Sequence, residues 1–139
     1  HGDEIGKGPS NILPFIAQIL SEKPSLTYII QELENNWHPK YQSAIVQLIA
    51  NKMKESQKEW GDYNNKNFIL ETHSELFVLQ VKKLVEKGIL NPEDVSINFI
   101  SRTKEGNSTI NHIPLNSQGS FTKEWPGGFF PERTEVLTS

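Results

Sequence analysis

Leu26-Thr27-Tyr28-Ile29-Ile30 runs into Gln31-Glu32-Leu33-Glu34-Asn35-Asn36-Trp37-His38-Pro39, and how these fourteen residues are read decides the fold. The first five are β-branched, aromatic or apolar without alternation, which predicts a central strand covered on both faces. The polar stretch after it is a turn. Pro39 suits the first position of a helix, and Tyr41, Ile45, Leu48 or Ile49, and Met53 recur on one face to about Gln57. A polar loop with Gly61-Asp62 and Asn64-Asn65 leads to a second apolar run, Phe68-Ile69-Leu70. Strand, helix, strand in that order implies a parallel pair with a right-handed crossover.

Working outward, Gly2, Gly6, Gly8 and Pro9 read as a flexible lead-in to a helix over 11–22 with Ile12, Phe15, Ile16, Ile19 and Leu20 on its apolar side. Ser10 or Asn11 can cap it, Pro14 is tolerated only near its first turn, and Pro24 stops it. Ser74 can cap a third helix carrying Phe77, Val81, Leu84 and Val85, which Gly88 ends. Val95, Ile97 and Phe99 then alternate with polar residues, and a Lys104–Asn107 turn joins them to a second alternating run over 109–115, an antiparallel hairpin. Trp125-Pro126-Gly127-Gly128-Phe129-Phe130 is too rich in turn residues for a helix and too aromatic for a free tail. The expected class is α/β: parallel strands with flanking helices over 1–90, and a β-hairpin with an aromatic segment over 91–139.

The 139 residues are 35% hydrophobic and 22% charged, with 14 Lys+Arg against 17 Asp+Glu and a net charge of −3, which suits one soluble domain. At roughly 150 residues a domain hides about 68–70% of its unfolded surface, so a real core is within reach. No apolar stretch approaches the ~18 residues of a membrane span. The mild acidity argues against a general DNA-coating surface, which needs clustered Lys and Arg. There is no cysteine, which excludes disulfide scaffolds, zinc ribbons and thiol nucleophiles. With no signal peptide the expected compartment is the cytoplasm, and a start at His1 without Met suggests an excised piece.

In open α/β sheets ligands gather at the carboxyl ends of parallel strands. Both polar clusters sit there: Gln31 to Pro39, and Glu71-Thr72-His73-Ser74-Glu75. A carboxylate at a strand tip can orient a water or a hydrated Mg²⁺, and a neighbouring imidazole can bond a phosphate oxygen. His38 suits a helix-start residue bonding its own loop, and Glu32 and Glu34 could equally be solvated. Trp125, Phe129 and Phe130 read as packing anchors, and Lys82, Lys83 and Lys87 as a solvated face. His112 has no ligand partner at suitable spacing.

The order of these pieces resembles the C-terminal half of an ABC-type, AAA-like ATPase domain, in the branch of the overcoming-lysogenization-defect proteins and the recombination and repair ATPases. Ile5-Gly6-Lys7-Gly8-Pro9-Ser10-Asn11-Ile12-Leu13-Pro14 looks like the signature segment, and Tyr28-Ile29-Ile30 like the Walker B strand. Gln31-Glu32-Leu33-Glu34 with Trp37-His38-Pro39 resembles its acidic end, and Phe68–Glu75 the switch-histidine loop. Glu124-Trp125-Pro126-Gly127-Gly128-Phe129-Phe130-Pro131-Glu132-Arg133 is similar to a segment of a domain of unknown function appended to some of these ATPases.

The resemblance implies a three-layer P-loop-NTPase-like half domain using ATP and Mg²⁺. Glu32 would be the general base or water-positioning carboxylate and His73 the γ-phosphate sensor. Gly6, Gly8 and Ser10 would address the nucleotide of a second protomer, and Gln31, Glu32 and Glu34 would lie at the metal. It further implies a homodimer closed through the nucleotide, acting on nucleic acid or an effector protein, in DNA repair or phage defence. Three departures stand out: Gln31 replaces the usual acidic residue, Leu33 replaces Pro, and no G-x-x-x-x-G-K-[ST] loop occurs in the chain. The expectation is therefore a fragment, inactive alone, whose preceding half carries that loop. Two other readings stay open: a non-catalytic interaction module with a lapsed site and a partner-binding aromatic tail, and a metal hydrolase using Glu32, Glu34, His38 and His73.

Overall fold

The computed structural model describes residues 7–21, 27–35, 37–60 and 66–130, with backbone only for 7–12, 59 and 60. Gly6, Pro24, Leu26, the Gly61–Asn65 turn and the residues after Phe130 lie outside the described residues. The chain divides into two compact units between Gln80 and Val81.

In the first unit, β1 (Thr27–Gln31) and β2 (Asn67–Glu71) pair in parallel, Thr27 opposite Asn67 through to Gln31 opposite Glu71. The helix between them, α2 (Pro39–Trp60), supplies the crossover that a parallel pair needs. One face of the pair carries Tyr28 stacked on Phe68 at 4.9 Å, and the Tyr28 hydroxyl donates to the Gln18 carbonyl of α1 (Lys7–Leu20) at 2.8 Å. The core of this unit includes Ile19, Ile45, Val46, Ile49, Ala50 and Phe77, all buried.

Four expectations are corrected. β1 is not covered on both faces: Ile29 is 74% exposed and its cross-strand partner Ile69 is 58% exposed. An apolar run records the chemistry of both faces, not whether this chain covers them. α1 begins at Lys7, so Gly8 and Pro9 belong to it and Pro14 lies in its interior. Pro9 falls in the first turn, where the missing N–H has no intrahelical acceptor to lose. Leu20, assigned to the apolar side, is exposed. On α2 Ile45 and Ile49 are buried as expected, but at the start of the stripe Tyr41 is exposed and Gln42 is buried instead.

α1 has no basic residue in its last turn, and its C-terminus is met instead by a distant cation. Lys66, buried just before β2, donates from Nζ to the carbonyls of Ile19 (2.9 Å) and Ser21 (2.5 Å). A positive charge satisfying two helix-end carbonyls opposes the negative end of the dipole. Lys66→Met, which keeps the stem and removes the donors, is expected to cost about 1.5–3 kcal/mol in chemical denaturation, the range for a hydrogen bond to a charged group.

The second unit starts within α3 (Glu75–Glu86). Gly88, at φ 65°, ends the helix: its N–H reaches the Val85 carbonyl and the Ile89 N–H the Leu84 carbonyl, both at 2.9 Å, the Schellman pattern. A 3₁₀ turn over Pro92–Asp94 leads to the antiparallel hairpin of β3 (Asn98–Arg102) and β4 (Ser108–His112). In the connecting turn, Glu105's own backbone N–H and the Thr103 hydroxyl hold its carboxyl below the usual carboxylate range. Beyond the hairpin, Ile113 and Leu115 are buried.

Trp125 sits among Phe99, Phe121 and Phe129 with ring centroids 5.1–5.4 Å apart, and Lys82 lies 4.3 Å over the Phe121 ring. The tail aromatics are therefore packing anchors, worth about 0.5–1.5 kcal/mol per ring pair beyond buried area. Gly119, at φ 71°, brings its loop so close to α3 that a Cβ would collide with the Lys82 carbonyl oxygen. Gly119→Ala adds that collision to a left-handed strain of about 1–3 kcal/mol, so the loss of stability should reach at least that size in thermal unfolding.

Candidate functional site

The parallel register sets Gln31 beside Glu71 at the carboxyl ends of the two strands. There the Gln31 amide donates to Glu71 Oε2 at 2.9 Å. One residue on, the Glu32 N–H extends the ladder to the Glu71 carbonyl at 3.0 Å. Glu32 itself has φ 47°, the left-handed region that a residue with a Cβ rarely enters. The turn it starts holds it there: its carbonyl accepts the Asn35 N–H at 3.0 Å, and its Oε2 accepts the Asn35 amide at 2.6 Å. Such strain persists only where surrounding bonds over-determine it, and it clusters at functional sites.

From the same turn, Glu34 Oε1 accepts the backbone N–H of His73 at 2.6 Å, linking the loop after β1 to the loop after β2. The other oxygen, Oε2, is buried with no hydrogen-bond partner. Within the second loop, Thr72 Oγ1 accepts the Ser74 N–H and the Ser74 carbonyl accepts the Phe77 N–H, which starts α3. The Ser74 hydroxyl donates to Gln42 Oε1 at 2.6 Å, and Gln42 Nε2 donates to the Trp37 carbonyl at 3.2 Å. His38 takes the helix-start role read from the sequence: its Nδ1 accepts the Lys40 N–H at 3.2 Å at the head of α2.

Gln31, Glu32, Glu34 and His73 thus share one edge of the strand pair, with the side chains of Glu32 and His73 exposed to solvent. Gly8 and Ser10 lie in the first turns of α1 with backbone only described, and Gly6 is outside the described residues. Among the described residues no group of three or more His, Asp or Glu is placed to hold a metal ion. Three participants were not singled out from the sequence: Glu71, Asn35 and Gln42. Glu71 stood at the second strand's end and could have been paired with Gln31 by aligning the two runs. Asn35, three residues after Glu32, is a common turn spacing. Gln42 had no signal, since a Gln beside a Tyr reads as the polar member of the pair.

A family model described as an AAA domain, its description naming the AbiEii toxin and Type IV TA systems, matches residues 3–79, more than half of the chain. The chain belongs to this AAA family. A second model, described as a protein of unknown function (DUF3696), matches residues 90–137. No curated protein and no solved structure matches the chain. Family membership gives the AAA part an ATPase-type, nucleotide-binding character, and the two-stranded parallel sheet with three helices is compatible with a fragment of such a domain. Among the described residues no helix is long and apolar enough to cross a membrane.

If Glu32 is held in a strained conformation for its carboxylate, removing the side chain should relieve the strain. Glu32→Gly is expected to leave thermal stability unchanged or raised, whereas Glu32→Val, β-branched in the left-handed region, should lower it by about 1–3 kcal/mol. Equal losses in both would show that no strain is stored at this position.

Proposed function

We propose that this chain is the C-terminal half of an ABC-type ATPase domain that presents Glu32 and His73 to the terminal phosphate of ATP. One observation carries the reading: Glu32, over-determined in a left-handed conformation at the tip of β1, shares a strand-pair edge with the loop holding His73. Phosphoryl transfer is mostly positioning and charge stabilisation, so a fixed carboxylate to hold a water and an imidazole donor for a phosphate oxygen are suitable equipment.

The fit to Mg²⁺ is partial. The unpartnered buried Oε2 of Glu34 is an oxygen that a cation or a water would satisfy. Gln31 offers an amide committed to Glu71 rather than a second acid. Mg²⁺ typically keeps several waters and takes one or two carboxylates with substrate phosphates, so Gln31, Glu32 and Glu34 suit the protein side of a hydrated ion better than an all-protein cage. Bound there, the ion would neutralise phosphate charge. In this reading the phosphate-cradling loop comes from a preceding half, and Gly6, Gly8 and Ser10 address a second protomer's nucleotide. Residues 1–90 then form the ATPase half of a three-layer P-loop domain and 91–139 an appended module. Nucleotide closes a homodimer that acts, in the cytoplasm, on nucleic acid or an effector protein in DNA repair or phage defence.

The test is Mg²⁺-dependent ATPase activity in a protein that joins this chain to a half carrying a phosphate-cradling loop. Glu32→Gln and His73→Ala are each expected to lower kcat about 10²–10³-fold, the loss typical of one preorganised group at a developing charge. Turnover within a few-fold of the parent in both variants would refute the site assignment.

A further inference from the structure

The acidic turn after β1 and the histidine loop after β2 belong to different strands, and two side-chain bridges join them beyond the ladder. One is direct, from Glu34 Oε1 to the His73 N–H. The other passes through Gln42, buried in the first turn of α2, whose amide nitrogen holds the Trp37 carbonyl of the first loop and whose amide oxygen holds the Ser74 hydroxyl of the second. Both polar ends of a buried amide are thus spent on different loops, and Ser74 is the residue next to His73. A buried Gln is costly unless both ends are satisfied, so a shift of either loop leaves a polar group stranded.

We propose that Gln42 is a positioning residue that locks the His73 loop to the Glu32 turn, so that the two loops move as one body. Glu34 provides the second tie. The coupling itself depends only on these contacts; its consequence for turnover, through the alignment of Glu32 with His73, rests on the ATPase reading above.

Hydrogen exchange of the full chain, followed amide by amide by NMR without nucleotide, tests the coupling separately from that reading. Gln42→Met keeps the length of the side chain and removes both bonds. It should accelerate exchange about fivefold at His73 and Ser74 and also at Asn35 and Trp37, while amides within β1 and β2 keep their rates. Ser74→Ala, a smaller change, removes the hydroxyl tie alone and should accelerate Asn35 and Trp37, which belong to the other loop. Acceleration confined to the altered loop, or rising uniformly with the strand amides, would overturn the proposal, as would unchanged rates. Should Gln42→Met not fold, Ser74→Ala decides the question by the same criterion. An ATPase result that goes against Glu32 and His73 would leave this outcome untouched.

Discussion

The parallel register of β1 and β2 is the constraint on which the site depends. Pairing Gln31 with Glu71 ends both strands at one level, so the loops that follow must turn beside each other. A slip of one residue in either strand would carry its ring, Tyr28 or Phe68, away from the packed face where the two stack and out to the side where Ile29 and Ile69 meet solvent. The stacked rings therefore fix more than a hydrophobic contact. They decide which residues stand at the strand tips and bring Glu32 and His73 to one edge.

What is built on that register is mostly polar and mostly satisfied. Asn35 holds the Glu32 carboxylate, Glu34 holds the His73 backbone, and Gln42 ties Trp37 to Ser74. The exception is Glu34 Oε2, buried and unpartnered. A native structure leaves few such atoms, and one lying among strand-tip acids in an AAA-family chain is chemically apt for a cation or a water. The left-handed Glu32 is the other departure from local preference, and it falls in the same turn. The left-handed backbone of Glu32 and the unpartnered oxygen of Glu34 are thus two local costs within three residues.

The second unit holds together by different means. Its small hairpin leaves Ile100 and Ile110 exposed on one side, and its packing comes from the cluster around Trp125. Gly88 turns the chain out of α3, and Gly119 lets a later loop lie against the same helix. Gly88 thus supplies a left-handed backbone where the helix ends, and Gly119 the close approach of the later loop to it. The DUF3696 match covers this hairpin and aromatic segment, so the conformational demands on Gly119 and the ring cluster fall within a region that the family model recognises as a unit.

The strand–helix–strand order, the Gly88 stop, the hairpin and the aromatic anchors were legible in the sequence, because each rests on local chemistry: apolar runs, a residue tolerant of positive φ, alternation, and rings that avoid water. The polar clusters at the strand ends were legible for the same reason. Only the tertiary structure decided that Ile29 and Ile69 stay exposed, that Gln42 rather than Tyr41 faces inward, and that Glu34 grips His73. Those outcomes depend on partners some thirty to forty residues away along the chain. A buried Gln is favourable only when a Trp carbonyl and a Ser hydroxyl converge on it, and no window of sequence contains that convergence.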